Sequence, residues 1–381
     1  MDKLLAKTLY GLEDVLKAEL ESIGAGNVIK GRRSVSFEGD REMLYRANYS
    51  LRTALSVLKH LFNFNIRKAK DVYSKSVEYH WEDIMSVGQT FAVVPVVNSS
   101  LFNHTGYPAL LLKDAIADRF RKKMNRRPSV DPKNPDIVLN CHINDNQVDI
   151  SIDSTVVPLY KRGYRRNLPA APLNEVLAAG IVMISGWDMR SPLLDPMCGS
   201  GTIAIEAALM ARNIPPGKFR SFFGFMNWPD YDHELFIKVG RKEESKAIPL
   251  QTSINCKDIS PANIKMARTN IGNAGLDSDI RSSIEDFHDS ESKDIKYTLI
   301  INPPYGERLN NVNIENLYSE IGERLKHGYP GSTAWLISSN MEALKMIGLK
   351  PSVKYRLYNG KLEVKLLKYE LYSGSMKKVK S

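Results

Sequence analysis

The chain has 381 residues, 53 Lys and Arg against 43 Asp and Glu for a formal net charge of +10, and 43% hydrophobic residues. These are ordinary globular values for two or three domains and exclude a disordered, collagenous or coiled-coil chain. No apolar run approaches the roughly 20 residues that span a bilayer, Glu13, Asp14 and Glu19 rule out a signal peptide, and the scattered Cys141, Cys198 and Cys256 offer neither a disulfide framework nor a zinc site. The default is a cytoplasmic protein without metal.

Residues 3–8 read as a strand, 12–23 as an apolar-periodic helix ending at Gly24, 33–37 as a strand and 41–51 as a helix. That order implies a small α+β module over 1–64. A second mixed module, 65–160, holds a helix within 70–84, a β-branched strand at 90–97 and a helix at 108–124. A hairpin of 137–143 and 147–153 follows. Pro169, Ala170, Ala171 and Pro172 mark a linker.

From 161 to 381 the rhythm changes. Helices at 173–186, 202–213, 261–274 and 315–326 alternate with strands at 192–195, 251–258, 297–301 and 333–338 and a weak strand at 280–284. Such alternation predicts a doubly wound, mostly parallel α/β sheet. Asn359-Gly360, between 353–358 and 361–372, is a strong hairpin signal and adds an antiparallel end. Residues 214–250 interrupt this order with a Pro-, Gly- and aromatic-rich insert.

The charge excess is spread over both halves, so clusters matter more than totals. Arg119, Arg121, Lys122, Lys123, Arg126 and Arg127 close the 108–124 helix, and Lys161, Arg162, Arg165 and Arg166 are interleaved with Tyr160 and Tyr164. Cations with aromatics between them suit phosphate contact and base stacking. A solvated helix end is the simpler alternative, and it is the preferred reading for Lys377, Lys378 and Lys380 in the tail.

Three motifs carry chemistry. Asp195-Pro196-Met197-Cys198-Gly199-Ser200-Gly201-Thr202 lies between a buried strand and an apolar helix. Its glycines allow a sharp turn close to a ligand, and the helix N-terminus offers free N–H groups. Asp258 ends the next strand, where a carboxylate accepts two ribose hydroxyls of a nucleoside. Glu285-Asp286-Phe287 follows the weak strand and could meet an adenine amino group. The most specific motif is Asn302-Pro303-Pro304-Tyr305 after the strand at 297–301. The prolines fix the backbone and cannot donate. The Asn302 side-chain oxygen and the Pro303 carbonyl can then both accept from one planar –NH2 group, while Tyr305 stacks on its ring.

Residues 195–202 resemble the nucleotide-side motif of class I S-adenosylmethionine-dependent methyltransferases, and Asn302–Tyr305 resembles their amino-methylating motif. With Lys161-Arg162-Gly163-Tyr164-Arg165 and Ala171-Pro172-Leu173-Asn174-Glu175, the chain is similar to bacterial 23S rRNA guanine-N2 methyltransferases of the RlmL/YpsC type. The resemblance implies a class I, Rossmann-like α/β fold with a mostly parallel seven-stranded sheet and a C-terminal antiparallel hairpin. It also implies preceding α+β ferredoxin-like and THUMP modules.

By the same resemblance, Asn174, Glu175, Asp195, Pro196, Met197, Cys198, Gly199, Gly201, Thr202, Asp258, Ile259, Glu285, Asp286, Phe287 and Asn302 bind S-adenosylmethionine, with S-adenosylhomocysteine as product. Asn302, Pro303, Pro304 and Tyr305 hold the target amine. Arg119, Arg121, Lys122, Lys123, Arg126, Arg127, Lys161, Arg162, Arg165, Arg166 and Arg308 contact RNA, rRNA before tRNA, and the insert aromatics Phe222, Phe223, Phe225 and Trp228 either line an RNA channel or anchor the insert. Other readings are N6-adenine methylation of DNA, glutamine methylation of a protein, and an RNA-binding module with an inert methyltransferase fold.

Overall fold

Residues 1–165, 173–292, 294–304 and 313–372 are described by the structure, which is a computed structural model. The first part of the chain runs β1 (Asp2–Lys7), α1 (Glu13–Ser22), β2 (Gly26–Lys30), β3 (Ser34–Gly39), α2 (Arg41–Ser50), β4 (Ser56–Asn65), α3 (Asp71–Ser76), β5 (Thr90–Asn98), α4 (Tyr107–Met124), β6 (Ser129–Val130), β7 (Ile137–Asn144) and β8 (Gln147–Asp153). The rest runs α5 (Glu175–Ile184), β9 (Leu193–Asp195), α6 (Thr202–Ala211), α7 (His233–Glu244), β10 (Ile254–Asp258), α8 (Pro261–Asn273), β11 (Ile280–Ile284), β12 (Thr298–Ile301), α9 (Ile314–Gly328), β13 (Thr333–Ser338), α10 (Ala343–Met346), β14 (Val353–Asn359) and β15 (Leu362–Glu370).

These elements form two compact units. The first comprises Met1–Thr8, Lys17–Leu159 and Arg220–Lys242; the second comprises Leu9–Leu16, Tyr160–Phe219 and Glu243–Ser381.

The two N-terminal modules read from the sequence share one eight-stranded sheet, β2-β3-β1-β4-β8-β7-β5-β6, joined where β4 pairs antiparallel with β8. β3 alternates strictly between buried and half-buried residues, the half-exposed pattern of an antiparallel strand. α4 turns Leu111, Leu112, Ala115, Ile116 and Phe120 inward at helical spacing and ends on Asn125 at φ 51°.

The insert belongs to this unit. Phe223 stacks on Phe225 at 5.3 Å and 8°, and Phe225 packs on Tyr45 at 4.5 Å. Phe223, Phe225 and Trp228 are buried while Phe222 is half-buried. For Phe223, Phe225 and Trp228 the structure shows the anchor, since buried rings cannot line a channel.

The second unit holds a seven-stranded sheet, β11-β10-β9-β12-β13-β15-β14. β9 to β13 are parallel, and β15 and β14 add the antiparallel end. β9 sits between β10 and β12, so the chain leaves it to one side and returns on the other. That reversal opens a crevice beyond the strand ends, where open α/β sheets bind ligands. α6 is buried throughout and α5 nearly so. α9 covers β12 and β13 with Tyr318, Ile321 and Leu325 against Leu299, Ile301 and Leu336.

Candidate active site

Every residue of β9 is buried, and Asp195 ends it opposite Cys256 of β10. The chain then turns back on itself. Cys198 N donates to Lys257 O at 2.9 Å, Gly201 N to Cys198 O at 2.8 Å, and Gly199 N to Asp258 Oδ2 at 2.9 Å. Gly199 and Gly201 take φ of 54° and 79°, values that glycine reaches without the Cβ penalty of other residues. A Cβ at Gly201 would lie 3.2 Å from Ala267 on α8, whereas one at Gly199 would meet nothing within 4 Å. Gly199 faces open space because it lines a cavity of about 560 Å³ at the strand ends.

Asp195, just before the turn, is buried and does not line that cavity. The backbone N–H of Met197 points toward its carboxylate, but neither oxygen reaches hydrogen-bonding geometry with any described residue. Burial, aided by the charge of Asp258, pushes this carboxyl well above the usual range. Burial without partners disfavours the charged form of this group. Asp258 is engaged on both oxygens: Oδ1 accepts from Ser260 N at 2.9 Å and Asn263 Nδ2 at 3.0 Å and Oδ2 from Gly199 N, which leaves one acceptor position, on Oδ2, for a ligand hydroxyl.

Pro196, Met197, Cys198, Gly199, Thr202, Asp258, Ile259, Asp286, Phe287, Asn302, Pro303 and Pro304 all line the cavity. Phe287 is braced by stacking on Tyr329, centroids 5.8 Å apart and planes at 17°. Asn302 presents a buried Oδ1 that accepts from no described residue, beside Pro303 and Pro304. Tyr305 and Arg308 lie outside the described residues, as does Arg166.

Five expected ligand-binding residues are not in the lining: Asp195 and Gly201, described above, and Glu285, Asn174 and Glu175, whose side chains are engaged elsewhere. Glu285 pairs with Lys257 Nζ at 2.7 Å, because neighbours along an extended chain point to opposite sides and Asp286 takes the cavity side. Asn174 caps α5, accepting from Val176 N at 2.9 Å and Leu177 N at 3.3 Å. Glu175 lies 3.4 Å from Arg165, its carboxyl raised by burial. Sequence reasoning overlooked Leu173, Ser200, Ile203, Ser260, Asn263, His288, Leu317 and Glu320, which complete the lining. Ser260 and Asn263 were signalled by the Ser-Pro start of α8, where a cap residue must follow Asp258. His288 and Glu320, 2.8 Å apart, come from a loop and from α9, and no local signal joins them.

The basic clusters divide. Arg119 is buried in a bidentate pair with Glu82, at 2.6 and 3.1 Å, and holds that carboxyl down to about 2. Arg162 is buried 3.4 Å from Glu206, and Arg165 is buried among Glu175, Leu173 and Thr202. These three are therefore not phosphate contacts: each is consumed by a partner inside its own unit. Arg121, Lys122, Lys123, Arg126, Arg127 and Lys161 remain at the surface, with Arg121 2.8 Å from Asp118 and Lys123 3.9 Å from Glu82.

Among the described residues no helix is long and apolar enough to cross a membrane, and no group of three or more His, Cys, Asp or Glu is placed to hold a metal ion.

The chain matches three family models: an RMKL-like methyltransferase domain over residues 162–368, a THUMP domain over 67–153, and an RlmL ferredoxin-like domain over 3–58. A Synechocystis protein provisionally named an RNA methyltransferase is 38% identical over 96% of both chains. The Syntrophotalea carbinolica ribosomal RNA large subunit methyltransferase K/L is 35% identical over 97% of this chain, which spans 53% of that longer protein. A crystal structure of a provisionally named methyltransferase in complex with S-adenosylhomocysteine superposes with a TM-score of 0.86 at 29% identity, covering 99% of each chain.

Proposed function

The chain belongs to the RMKL-like methyltransferase family, and on that premise we propose that it methylates the exocyclic N2 amine of a guanine in RNA, 23S rRNA first. The family's cofactor is S-adenosylmethionine, and the cavity suits it: a free acceptor position on Asp258, and apolar walls from Phe287 and Ile259. When bound, S-adenosylmethionine supplies an electrophilic methyl group on its sulfonium.

The observation that carries the reading is Asn302. Its Oδ1 is a buried acceptor with no donor among the described residues, preceded by a β-strand that fixes its place and followed by two prolines that cannot donate. A planar amine entering the cavity satisfies Asn302 Oδ1 and the Pro303 carbonyl together. Two in-plane hydrogen bonds from the amine leave its lone pair perpendicular, aimed along the line of transfer. Guanine N2 is a weak nucleophile, so alignment and preorganised acceptors supply most of the acceleration. As the nitrogen gains positive character its N–H groups donate more strongly to both oxygens, and the proton leaves to solvent after transfer. The base reaches this pocket by leaving its stack. Support for RNA comes from the THUMP match, the names of the relatives and the exposed cations at 121–127.

The test is transfer of a tritiated methyl group to separated 23S rRNA, 16S rRNA, tRNA and DNA, followed by nucleoside analysis. Label in N2-methylguanosine from 23S rRNA is expected. Label in N6-methyladenine of DNA, or in no nucleic acid, overturns the reading.

A further inference from the structure

Arg165 belongs to a run of cations and tyrosines that reads from sequence as a phosphate-binding cluster, yet its guanidinium is committed to the wall of the cofactor cavity. Nη2 donates to the Leu173 carbonyl at 2.9 Å and to Oγ1 of Thr202, and Nη1 lies 3.4 Å from Glu175 Oε1. The side chain is 5% exposed. Both Leu173 and Thr202 line the cavity, Leu173 from the entry to α5 and Thr202 as the first residue of α6, directly after the glycine turn.

The backbone that delivers this guanidinium is itself fixed. Arg162 Nε and Tyr164 OH approach the same Glu206 oxygen on α6, at 3.4 and 3.0 Å, and Asn273 of α8 donates to the Tyr164 carbonyl at 3.0 Å. Gly163, at φ 113°, runs so close to Phe219 that a Cβ there would come within 2.2 Å of its carbonyl oxygen. Residues 162–165 thus form a brace along α6, and Arg165 stands at its end. One planar fork reaching a carbonyl, a hydroxyl and a carboxylate is a task for arginine; lysine offers a single point of donation.

We propose that Arg165 is a positioning residue of the cofactor site, holding Leu173 and Thr202 at fixed separation so that the wall between α5 and α6 keeps its shape, and that it takes no part in RNA contact. The inference uses the family's cofactor but does not depend on which nucleic acid is methylated.

Calorimetric titration of the full chain with S-adenosylhomocysteine tests it without any substrate. Arg165→Lys should raise the Kd about tenfold and Arg165→Met about a hundredfold. KM for S-adenosylmethionine should rise in parallel, while kcat at saturation and RNA affinity stay within about threefold of wild type. Thr202→Val should weaken binding in the same direction, and Arg165→Lys combined with Thr202→Val should cost less than the product of the single effects, because both remove one contact. Should Arg165→Met fail to give a cooperative melt, the lysine variant and the valine cycle decide alone. A Kd within twofold of wild type in the lysine variant, even with a lowered Tm, overturns the proposal. So does a fall in RNA affinity with a shallower salt dependence, which would return the guanidinium to a phosphate.

Discussion

Replacing Asn302 by alanine should separate stability from catalysis, with opposite signs. In the free protein Asn302 Oδ1 is buried and accepts from no described residue, a state that costs about 1–3 kcal/mol. Alanine removes that oxygen, and Asn302 lies in a loop beyond β12, so few packing contacts go with it. Stability should therefore hold or rise. A gain of about 1 kcal/mol in a unit of this size lifts Tm by about 2–4 °C. Catalysis should fall steeply, because one of two acceptors that strengthen as the amine gains charge is gone. Loss of a single preorganised partner of this kind costs about 10²–10³ in kcat. The assay is single-turnover methyl transfer to RNA beside calorimetric binding of S-adenosylhomocysteine and a thermal melt. Binding should stay within about threefold. Turnover within threefold of wild type refutes the acceptor role, and a Tm lowered by several degrees refutes the claim that this oxygen is held unpaired for a ligand.

Gly201→Ala should cost about 1–3 kcal/mol of stability, since φ 79° strains any Cβ and Ala267 stands 3.2 Å from it, and should weaken S-adenosylhomocysteine binding; an unchanged melt counts against the tight turn. The Arg119–Glu82 pair predicts acid sensitivity: a carboxyl lowered to about 2 stabilises the fold above the ordinary carboxylate range, and that contribution, roughly 2–3 kcal/mol, is lost as pH falls from about 4.5 to 2. Urea unfolding of Arg119→Met across that range should show a shallower pH slope than wild type; parallel slopes refute the assignment. Changing Arg121, Lys122, Arg126 and Arg127 together to glutamine should weaken RNA binding and reduce its log–log salt slope by up to about 3, whereas an unchanged slope assigns them to a solvated face.

Much of the cavity lining was legible because it is built from short runs of particular residues. The Gly199 turn, the acid at the end of β10 and Asn-Pro-Pro after β12 are local patterns that line the cavity, whereas Asp195 and Gly201 in the same motif do not. The cations were misread for the converse reason. Arg119, Arg162 and Arg165 are neutralised by Glu82, Glu206 and Glu175, which lie 37, 44 and 10 residues away. A local charge count registers the arginine and misses the buried acid. The same limit hid His288 and Glu320, and β2 escaped because both its faces are largely exposed and leave no alternation to read.

The placement of Arg220–Lys242 bears on how the protein is made. This segment leaves the second unit and supplies Phe223, Phe225 and Phe236 to the aromatic core around Tyr45 and Tyr49 in the first. A ribosome that has released only residues 1–160 has produced a sheet whose aromatic core is still missing, and completion waits for some eighty further residues. Expressing that half alone should expose Tyr45 and Tyr49 and yield an aggregating product. The N-terminal modules therefore draw part of their core from a segment synthesised later, and a graft between relatives has to carry residues 220–242 along with the N-terminal half.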